Sequence, residues 1–178
     1  MKRSSFLQML NEAMDERVLD VIKEVHKIFK KRGLTLSVAE SCTGGLISHY
    51  ITVLPGASSF FEAGVVTYSA EAKKKILGIS PSTIKKYGVV SENTAGEMAE
   101  NVRSLTGTDY ALSTTGNLGP DVLEGKEKGL IYIAVSKTGQ TISKEVRLTG
   151  NREENKEAAS LLALRLLIEV IEQAAIAK

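Results

Sequence analysis

The sequence predicts an α/β fold, specifically a three-layer α/β/α sandwich around a mixed, mostly parallel five-stranded sheet with one antiparallel strand. Short segments rich in β-branched residues alternate with helical repeats, and only a turn separates the last two strand segments. Of the 178 residues, 43% are hydrophobic and 25% charged, as in globular proteins. We therefore predict one domain over residues 1–178, with an N-terminal helix at about 15–32 and a core at about 33–175.

The first part of the chain predicts a helix followed by a βαβ unit. Apolar residues recur at three-and-four spacing over residues 18–29, and Gly33 ends that helix. Residues 34–39 alternate as a first strand, residues 45–52 form a short helix, and residues 63–68 form a second strand. Because a helix connects them, the two strands are expected to be parallel.

The middle of the chain predicts two further helices and a third strand. The helices cover residues 70–77 and 91–105, and Ser91 is the N-cap of the second, with Thr94 supporting its first turn. The third strand covers residues 109–114.

The last part of the chain predicts a loop, a hairpin and a long helix. A polar loop over residues 115–128 leads to strands at 130–135 and 141–148, which a tight turn joins. The final helix opens at Asn151, with Glu154 reaching back as in a capping box. The hairpin therefore adds one antiparallel strand to three parallel ones.

Composition argues against several classes of function. The net charge is only +2 and 5% of the residues are aromatic, so neither a nucleic acid nor a membrane is an expected partner. The single cysteine, Cys42, excludes an internal disulfide and suits a reducing compartment. Because the sequence shows neither a signal peptide nor a run of about 18 apolar residues, we expect a cytoplasmic protein. Phosphate-loop, dinucleotide and metal-binding motifs are absent, which predicts no cofactor and no metal.

Polar side chains follow each of the three parallel strands. These are Glu40 and Ser41 after the first, Tyr68 and Ser69 after the second, and Thr114 and Thr115 after the third. The carboxyl ends of parallel strands share one edge, where ligands bind in open α/β sheets. Ser41, Thr43, Gly44 and Gly45 would form the floor of such a site, although the same residues also suit a tight turn that caps a helix.

The base available to a serine at this edge is Lys73. A serine hydroxyl attacks only when a base removes its proton. His26 and His49 lie inside helical segments, which disfavours a Ser-His-Asp triad. Lys73 lies at the start of the helix after the second strand, where burial would lower the pKa of its amine. A Ser/Lys dyad therefore remains possible as the catalytic pair. Cys42 is expected to be a small buried residue that packs in the core.

Several ordered motifs resemble the CinA C-terminal domain, or nicotinamide-nucleotide amidase, family. The resemblance runs from about residue 36 to the last helix. The motifs are Ala39-Glu40-Ser41-Cys42-Thr43-Gly44-Gly45, Pro55-Gly56-Ala57-Ser58, Gly64-Val65-Val66-Thr67-Tyr68-Ser69, Glu71-Ala72-Lys73, Gly88-Val89-Val90-Ser91-Glu92 and Gly150-Asn151-Arg152.

The resemblance implies hydrolysis of the carboxamide of nicotinamide mononucleotide to nicotinic acid mononucleotide and ammonia, without a metal. By position it implies Ser58 as nucleophile and Lys73 as base, with Arg152 on the substrate side. The residues that it implies line the site are Ser41, Tyr68 and Thr115. It also implies an α/β/α sandwich and a homo-oligomer.

Topology disagrees with one of these roles. Ser58 precedes the second strand and Lys73 follows it, and six residues at about 3.3 Å each separate the two ends by about 20 Å. They would meet only through a folded-back loop or a second subunit, whereas Ser41 lies at the same edge as Lys73. Both serines therefore remain candidates.

The loop after the third strand departs from the family pattern. Gly116-Asn117-Leu118-Gly119-Pro120 is followed by Asp121, Val122 and Leu123, where relatives carry a glycine pair. Thr115 and Gly116 begin this loop and are predicted to contact the substrate. Larger side chains here would reshape the site, so the alternative is a nucleotide-binding module that is catalytically altered or inactive.

Overall fold

The computed structural model describes residues 16–176, which form six α-helices and five strands. The helices are α1 (Glu16–Arg32), α2 (Leu46–Val53), α3 (Ala70–Leu77), α4 (Pro81–Tyr87), α5 (Glu92–Thr106) and α6 (Arg152–Ile176). The strands are β1 (Leu36–Glu40), β2 (Phe61–Val66), β3 (Tyr110–Gly116), β4 (Leu130–Lys137) and β5 (Gln140–Arg147). A 3-10 helix, Ala57–Ser59, directly precedes β2.

The strands form one mixed sheet in the order β2-β1-β3-β4-β5. Strand β1 pairs in parallel with both β2 and β3, and β4 is antiparallel to β3 and β5. The three-layer sandwich and the single antiparallel strand predicted from the sequence are therefore confirmed. The parallel arrangement places the carboxyl ends of β1, β2 and β3 at one edge.

Helices cover both faces of the sheet. Helices α1, α2 and α6 pack together on one face, and α5 covers the other with α3 and α4 packed against it. The larger apolar core lies on the first face, around Phe29, Leu112 and Leu164, all fully buried. Strand β1 is confirmed, and because both faces of the sheet are covered, all five of its residues are buried although the sequence alternates between apolar and polar residues.

One strand extends further than predicted, and one helix was missed. Strand β3 continues through Thr115 to Gly116, so these residues belong to the sheet rather than to the following loop. Helix α4 was not predicted, because it buries none of its residues and so has no apolar repeat. Its start is nevertheless marked in the sequence: the Ser80 side chain accepts from the Ser82 amide and Pro81 occupies the first turn.

The predicted helix caps are confirmed. The Ser91 side chain accepts a hydrogen bond from the Thr94 amide at the start of α5. At the start of α6, Asn151 Oδ1 accepts from the amides of Glu153 and Glu154, and the Asn151 amide donates to Glu154 Oε2. These bonds satisfy amides that a helix leaves unpaired at its first turn.

Candidate active site

The ends of the three parallel strands are joined by hydrogen bonds. The Thr67 amide donates to the Glu40 carbonyl over 2.8 Å, and the Ser41 amide donates to the Thr114 carbonyl over 3.1 Å. The hydroxyls of Thr43 and Thr114 lie 2.8 Å apart. These contacts hold the turn after β1 against both neighbouring strands, at the edge where the sequence predicts the site.

The central contact of this edge joins Lys73 to Ser41. Lys73 Nζ lies 2.8 Å from Ser41 Oγ and 2.8 Å from the carbonyl oxygen of Thr67. The lysine is 1% exposed, although it lies on a helix whose next two lysines point to solvent and pair with Glu71. Burial lowers the pKa of Lys73 to about 8. The structure therefore holds a lysine amine of reduced basicity in direct contact with a serine hydroxyl.

Glu40 anchors the turn that carries Ser41. Its carboxylate is fully buried. It accepts five hydrogen bonds, from the Thr43 hydroxyl, the amides of Gly45, Ile47 and Ser48, and the Ser48 hydroxyl. A carboxylate satisfies the free amides of a helix N-terminus in the same way as a bound anion would. Sequence reasoning missed this role, although an acidic residue between a buried strand and a glycine pair is the signal for it.

A cavity of about 230 Å³ opens beside Ser41. Its lining residues come from the turn after β1, the end of β2, the end of β3 with its loop, and the start of α6. They are Ser41, Cys42, Tyr68, Gly116, Asn117, Leu118, Asp121, Leu123 and Arg152. Burial raises the pKa of the Cys42 thiol to about 12, so the thiol stays protonated in the physiological range.

Arg152 connects three elements around this cavity. Its guanidinium donates to the Tyr68 hydroxyl over 2.7 Å and to the Gly119 carbonyl over 2.5 Å. Arg152 is solvent-exposed, and these two partners come from distant parts of the chain, so that only the folded structure reveals them. The bonds tie the start of α6 to the end of β2 and to the loop after β3.

The loop after β3 is fixed at several points. The Asn117 side chain donates to the Leu123 carbonyl over 3.2 Å and accepts from the Leu123 amide over 3.0 Å. The Glu124 carboxylate accepts from the amides of Val89 and Val90, just before α5. Lys126 Nζ donates to the Val90 carbonyl over 2.5 Å. These bonds tie the loop to itself and to the segment just before α5.

Some predicted residues of the site do not reach the cavity. Thr43 is fully buried under the turn, and the Gly45 amide donates a hydrogen bond to the Glu40 carboxylate. Gly44 lies beside the end of the Lys156 side chain and is exposed. The Thr115 hydroxyl donates to the Val89 carbonyl over 2.7 Å, because successive side chains of a strand point to opposite faces. Gly116, the next residue, does line the cavity.

Ser58 lies apart from Lys73 within the chain. It is exposed on the 3-10 helix before β2, whereas Lys73 follows β2. Neither histidine forms a hydrogen bond with Ser41: His26 is buried and its Nε2 donates to the Ile51 carbonyl over 2.8 Å, and His49 is exposed on α2. Among the described residues, Lys73 is thus the base in hydrogen-bond contact with the Ser41 hydroxyl.

Residues 16–176 contain neither a candidate metal cluster nor a candidate membrane-spanning helix. That part of the chain has no cluster of three or more histidine, cysteine or acidic side chains able to hold a metal ion. It also has no helix with the length and apolar character needed to cross a membrane.

Fold and site together define the class: an α/β/α domain with a buried lysine amine on a serine hydroxyl at the carboxyl edge of its sheet. The sequence pattern of the CinA C-terminal domain matches residues 19–171. The chain belongs to the CinA C-terminal domain family.

Relatives and solved structures agree with this assignment. The chain is 45% identical over 161 residues to a protein described as competence-damage inducible from Caldanaerobacter subterraneus, and 37% identical over 153 residues to one from Bacillus subtilis. These matches cover 90% and 86% of this chain but 39% and 37% of the relatives, so the chain spans about two fifths of their length.

Crystal structures of the same superfamily share the fold. A protein of the Competence-Damaged Protein (CinA) superfamily from Klebsiella pneumoniae 700603 superimposes with a TM-score of 0.85 and 30% identity, over 88% of this chain and 98% of its own. A competence/damage inducible protein from Agrobacterium tumefaciens gives 0.83 and 33%, over 86% and 94%.

Proposed function

We propose that this domain is an amidohydrolase that removes the carboxamide nitrogen of nicotinamide mononucleotide, with Ser41 as nucleophile and Lys73 as base. The observation that carries the proposal is the 2.8 Å contact between Lys73 Nζ and Ser41 Oγ in a buried site next to a cavity. Membership of the family, together with the resemblance of its motifs to nicotinamide-nucleotide amidases, supports the substrate.

The buried position of Lys73 suits it to act as a base. An ammonium group cannot remove a proton from serine, so the amine must be neutral when Ser41 attacks. With a pKa of about 8, about a tenth of Lys73 is neutral at pH 7, far more than for a lysine of ordinary pKa. The amine retains its bond to the Thr67 carbonyl, which orients it toward the serine.

The reaction then follows the two-step course of serine hydrolases. The Ser41 proton moves to Lys73 Nζ as Oγ bonds to the carboxamide carbon, and backbone and hydroxyl donors stabilise the oxyanion. Lys73 gives this proton to the amide nitrogen, the carbon–nitrogen bond breaks, and ammonia leaves. Water attacks the resulting ester while Lys73 takes its proton, which returns to Ser41 as nicotinic acid mononucleotide departs.

The main alternative is a nucleotide-binding module that has lost catalysis. The changed loop over residues 117–129 motivates this alternative, because Asp121 and Leu123 now line the cavity. The open cavity beside Ser41 and the intact contact with Lys73 favour the enzyme. A binding module has no need of a buried lysine, whose desolvation costs stability.

The test is release of ammonia from nicotinamide mononucleotide by the purified protein. We expect turnover by the wild-type protein and loss of at least about 10³-fold in kcat for Lys73→Ala, with the fold retained as judged by circular dichroism. Lys75→Ala, which removes an exposed lysine of the same helix, is the matched control and should retain wild-type activity. Tight binding of the nucleotide by the wild-type protein without any ammonia would establish the binding module instead.

A further inference from the structure

We infer that Asp121 is a specificity-determining residue that favours a cationic pyridinium ring in the cavity beside Ser41; this inference rests on the function proposed above. Nicotinamide mononucleotide carries a positive charge on its ring nitrogen and negative charge on its phosphate. Asp121 and Arg152 are the one carboxylate and the one guanidinium among the described residues that line the cavity. The lining thus offers a charge of opposite sign to each end of this ligand.

The Asp121 carboxylate is available to a ligand. It is exposed at the cavity and takes part in no hydrogen bond or ion pair with any other residue in the range 16–176. Arg152, the nearest candidate partner in the lining, directs its guanidinium to the Tyr68 hydroxyl and the Gly119 carbonyl instead. No protein cation therefore neutralises Asp121 by direct contact.

The backbone on both sides of Asp121 is held in place. On one side, the Gly119 carbonyl accepts from Arg152. On the other, the amide and carbonyl of Leu123 are bonded to the Asn117 side chain. The backbone of the segment that carries Asp121 is thereby tied to α6 and to the end of β3.

The surroundings of Asp121 strengthen its effect on a bound cation. Leu123 and Tyr68 both line the cavity, and a ligand seated against them displaces water from the space next to the carboxylate. Coulomb attraction grows as water is excluded, and an aromatic face adds a favourable contact with a cation. An exposed carboxylate that a bound ligand covers in this way should favour a charged ring over a neutral one by about three- to tenfold.

A different role for the same carboxylate is to accept hydrogen bonds from ribose hydroxyls, as acidic residues do in dinucleotide sites. The two roles can be separated with the dihydro form of nicotinamide mononucleotide. This compound keeps the carboxamide, ribose and phosphate but has an uncharged ring. Loss of the Asp121 charge should weaken binding of the cationic form selectively, whereas loss of a ribose contact would weaken both forms.

The experiment measures dissociation constants of the two ligands by calorimetry on proteins that also carry Ser41→Ala, which prevents turnover. We expect Asp121→Asn to raise the constant for nicotinamide mononucleotide about three- to tenfold and that for the dihydro form less than about twofold. Asp121→Glu should keep the preference because it keeps the charge. Glu127→Gln, in the same loop but outside the cavity lining, is the matched control and should leave both constants unchanged.

The outcomes distinguish this inference from the proposed function. If the protein with Ser41 intact releases ammonia, but Asp121→Asn weakens both ligands equally or neither of them, the role of Asp121 is refuted and the amidohydrolase stands. If that protein releases no ammonia from nicotinamide mononucleotide, the proposed function fails first. Selective weakening that disappears in high salt would support the charge-based role, since salt screens such attraction.

Discussion

Lys73 shows how a side chain can contradict its local sequence. It belongs to a run of three lysines on α3, and such a run predicts a solvated helix face. Its neighbours Lys74 and Lys75 follow that expectation and pair with Glu71, while Lys73 is buried against Ser41. The difference arises because the helix starts immediately after β2 and turns one side toward the strand ends. Burial at that point is what lowers the pKa of the amine.

Substitution of Ser41 and of Ser58, the two candidate nucleophiles, should have different effects on activity. We expect Ser41→Ala to lower kcat for ammonia release by at least about 10³-fold, since this substitution removes the hydroxyl that contacts Lys73. Ser58→Ala should stay within about twofold of wild type, because Ser58 is exposed before β2 and Lys73 follows that strand. Steady-state kinetics on both variants decide between them. A large loss for Ser58→Ala alone would indicate that a second subunit supplies the nucleophile.

The pH dependence of activity follows from the pKa of Lys73. The neutral amine is the active form, so its fraction grows as the pH rises toward the pKa and levels off above it. We expect kcat/KM to increase about tenfold per pH unit below about pH 7, to reach half of its maximum near pH 8 and to level off above about pH 9. Initial rates between pH 6 and about pH 9.5 would measure this profile. A rate that falls with rising pH over this range would exclude Lys73 as the base.

At the scale of elements, the turn after β1 depends on Glu40. Its carboxylate holds the first amides of α2 and the hydroxyls of Thr43 and Ser48 in one buried cluster. A helix of eight residues cannot supply such order by itself, because isolated short helices are marginal in water. The position of Ser41 is therefore set by a buried charge beneath it as well as by the strand before it.

Removing this carboxylate should destabilise the domain. We expect Glu40→Ala to lower the free energy of unfolding by about 3 kcal/mol, since it leaves several buried donors without a partner. Urea denaturation would measure the loss. Glu62→Ala, on an exposed position of β2, is the control and should change stability by less than about 0.5 kcal/mol. Equal effects of the two substitutions would refute the anchoring role of Glu40.

Elements also show where sequence reasoning succeeds and where it fails. The caps at Ser91 and Asn151 could be predicted because each is a local pattern of a few residues. Helix α4 has no such apolar pattern, since it buries none of its residues, and was missed. The partners of Arg152 and Asn117 come from distant parts of the chain or from loop geometry, which no short pattern specifies.

At the scale of the whole molecule, the location of the site could be predicted because it depends on the parallel arrangement of the strands. Parallel strands β1, β2 and β3 place Ser41, Thr67 and Thr114 at one edge, and this follows from helical connections that can be read from the sequence. The face of the sheet to which each side chain at the strand ends points could not be predicted so directly. Thr115 was expected in a loop on the substrate, but it is part of β3 and its hydroxyl donates to the Val89 carbonyl, in the segment before α5.

Burying a lysine also has a cost to the stability of the whole domain. Because the pKa of Lys73 is lower in the folded protein than the ordinary value of 10.5, the charged form destabilises the folded state. We expect Lys73→Met to abolish ammonia release and to raise the free energy of unfolding at pH 7 by about 1 kcal/mol, after allowing for two lost hydrogen bonds.

The pH window of this effect is defined by the two pKa values. The advantage of Lys73→Met should be complete below about pH 8 and disappear between pH 8 and 10.5, as the lysine loses its proton in both folded and unfolded chains. Denaturation of both proteins across that range would measure it. A variant that is less stable than wild type throughout would show that the lysine supports the fold instead of burdening it.

The most direct test of the central claim is a titration of the Lys73 side chain by nuclear magnetic resonance in protein labelled at lysine, with Lys73→Met used to assign its signal. We expect the amine to titrate near pH 8, below the ordinary lysine value of 10.5, and its signal to respond to Ser41→Ala. Titration of Lys73 at the ordinary value, without a response to Ser41→Ala, would contradict the account.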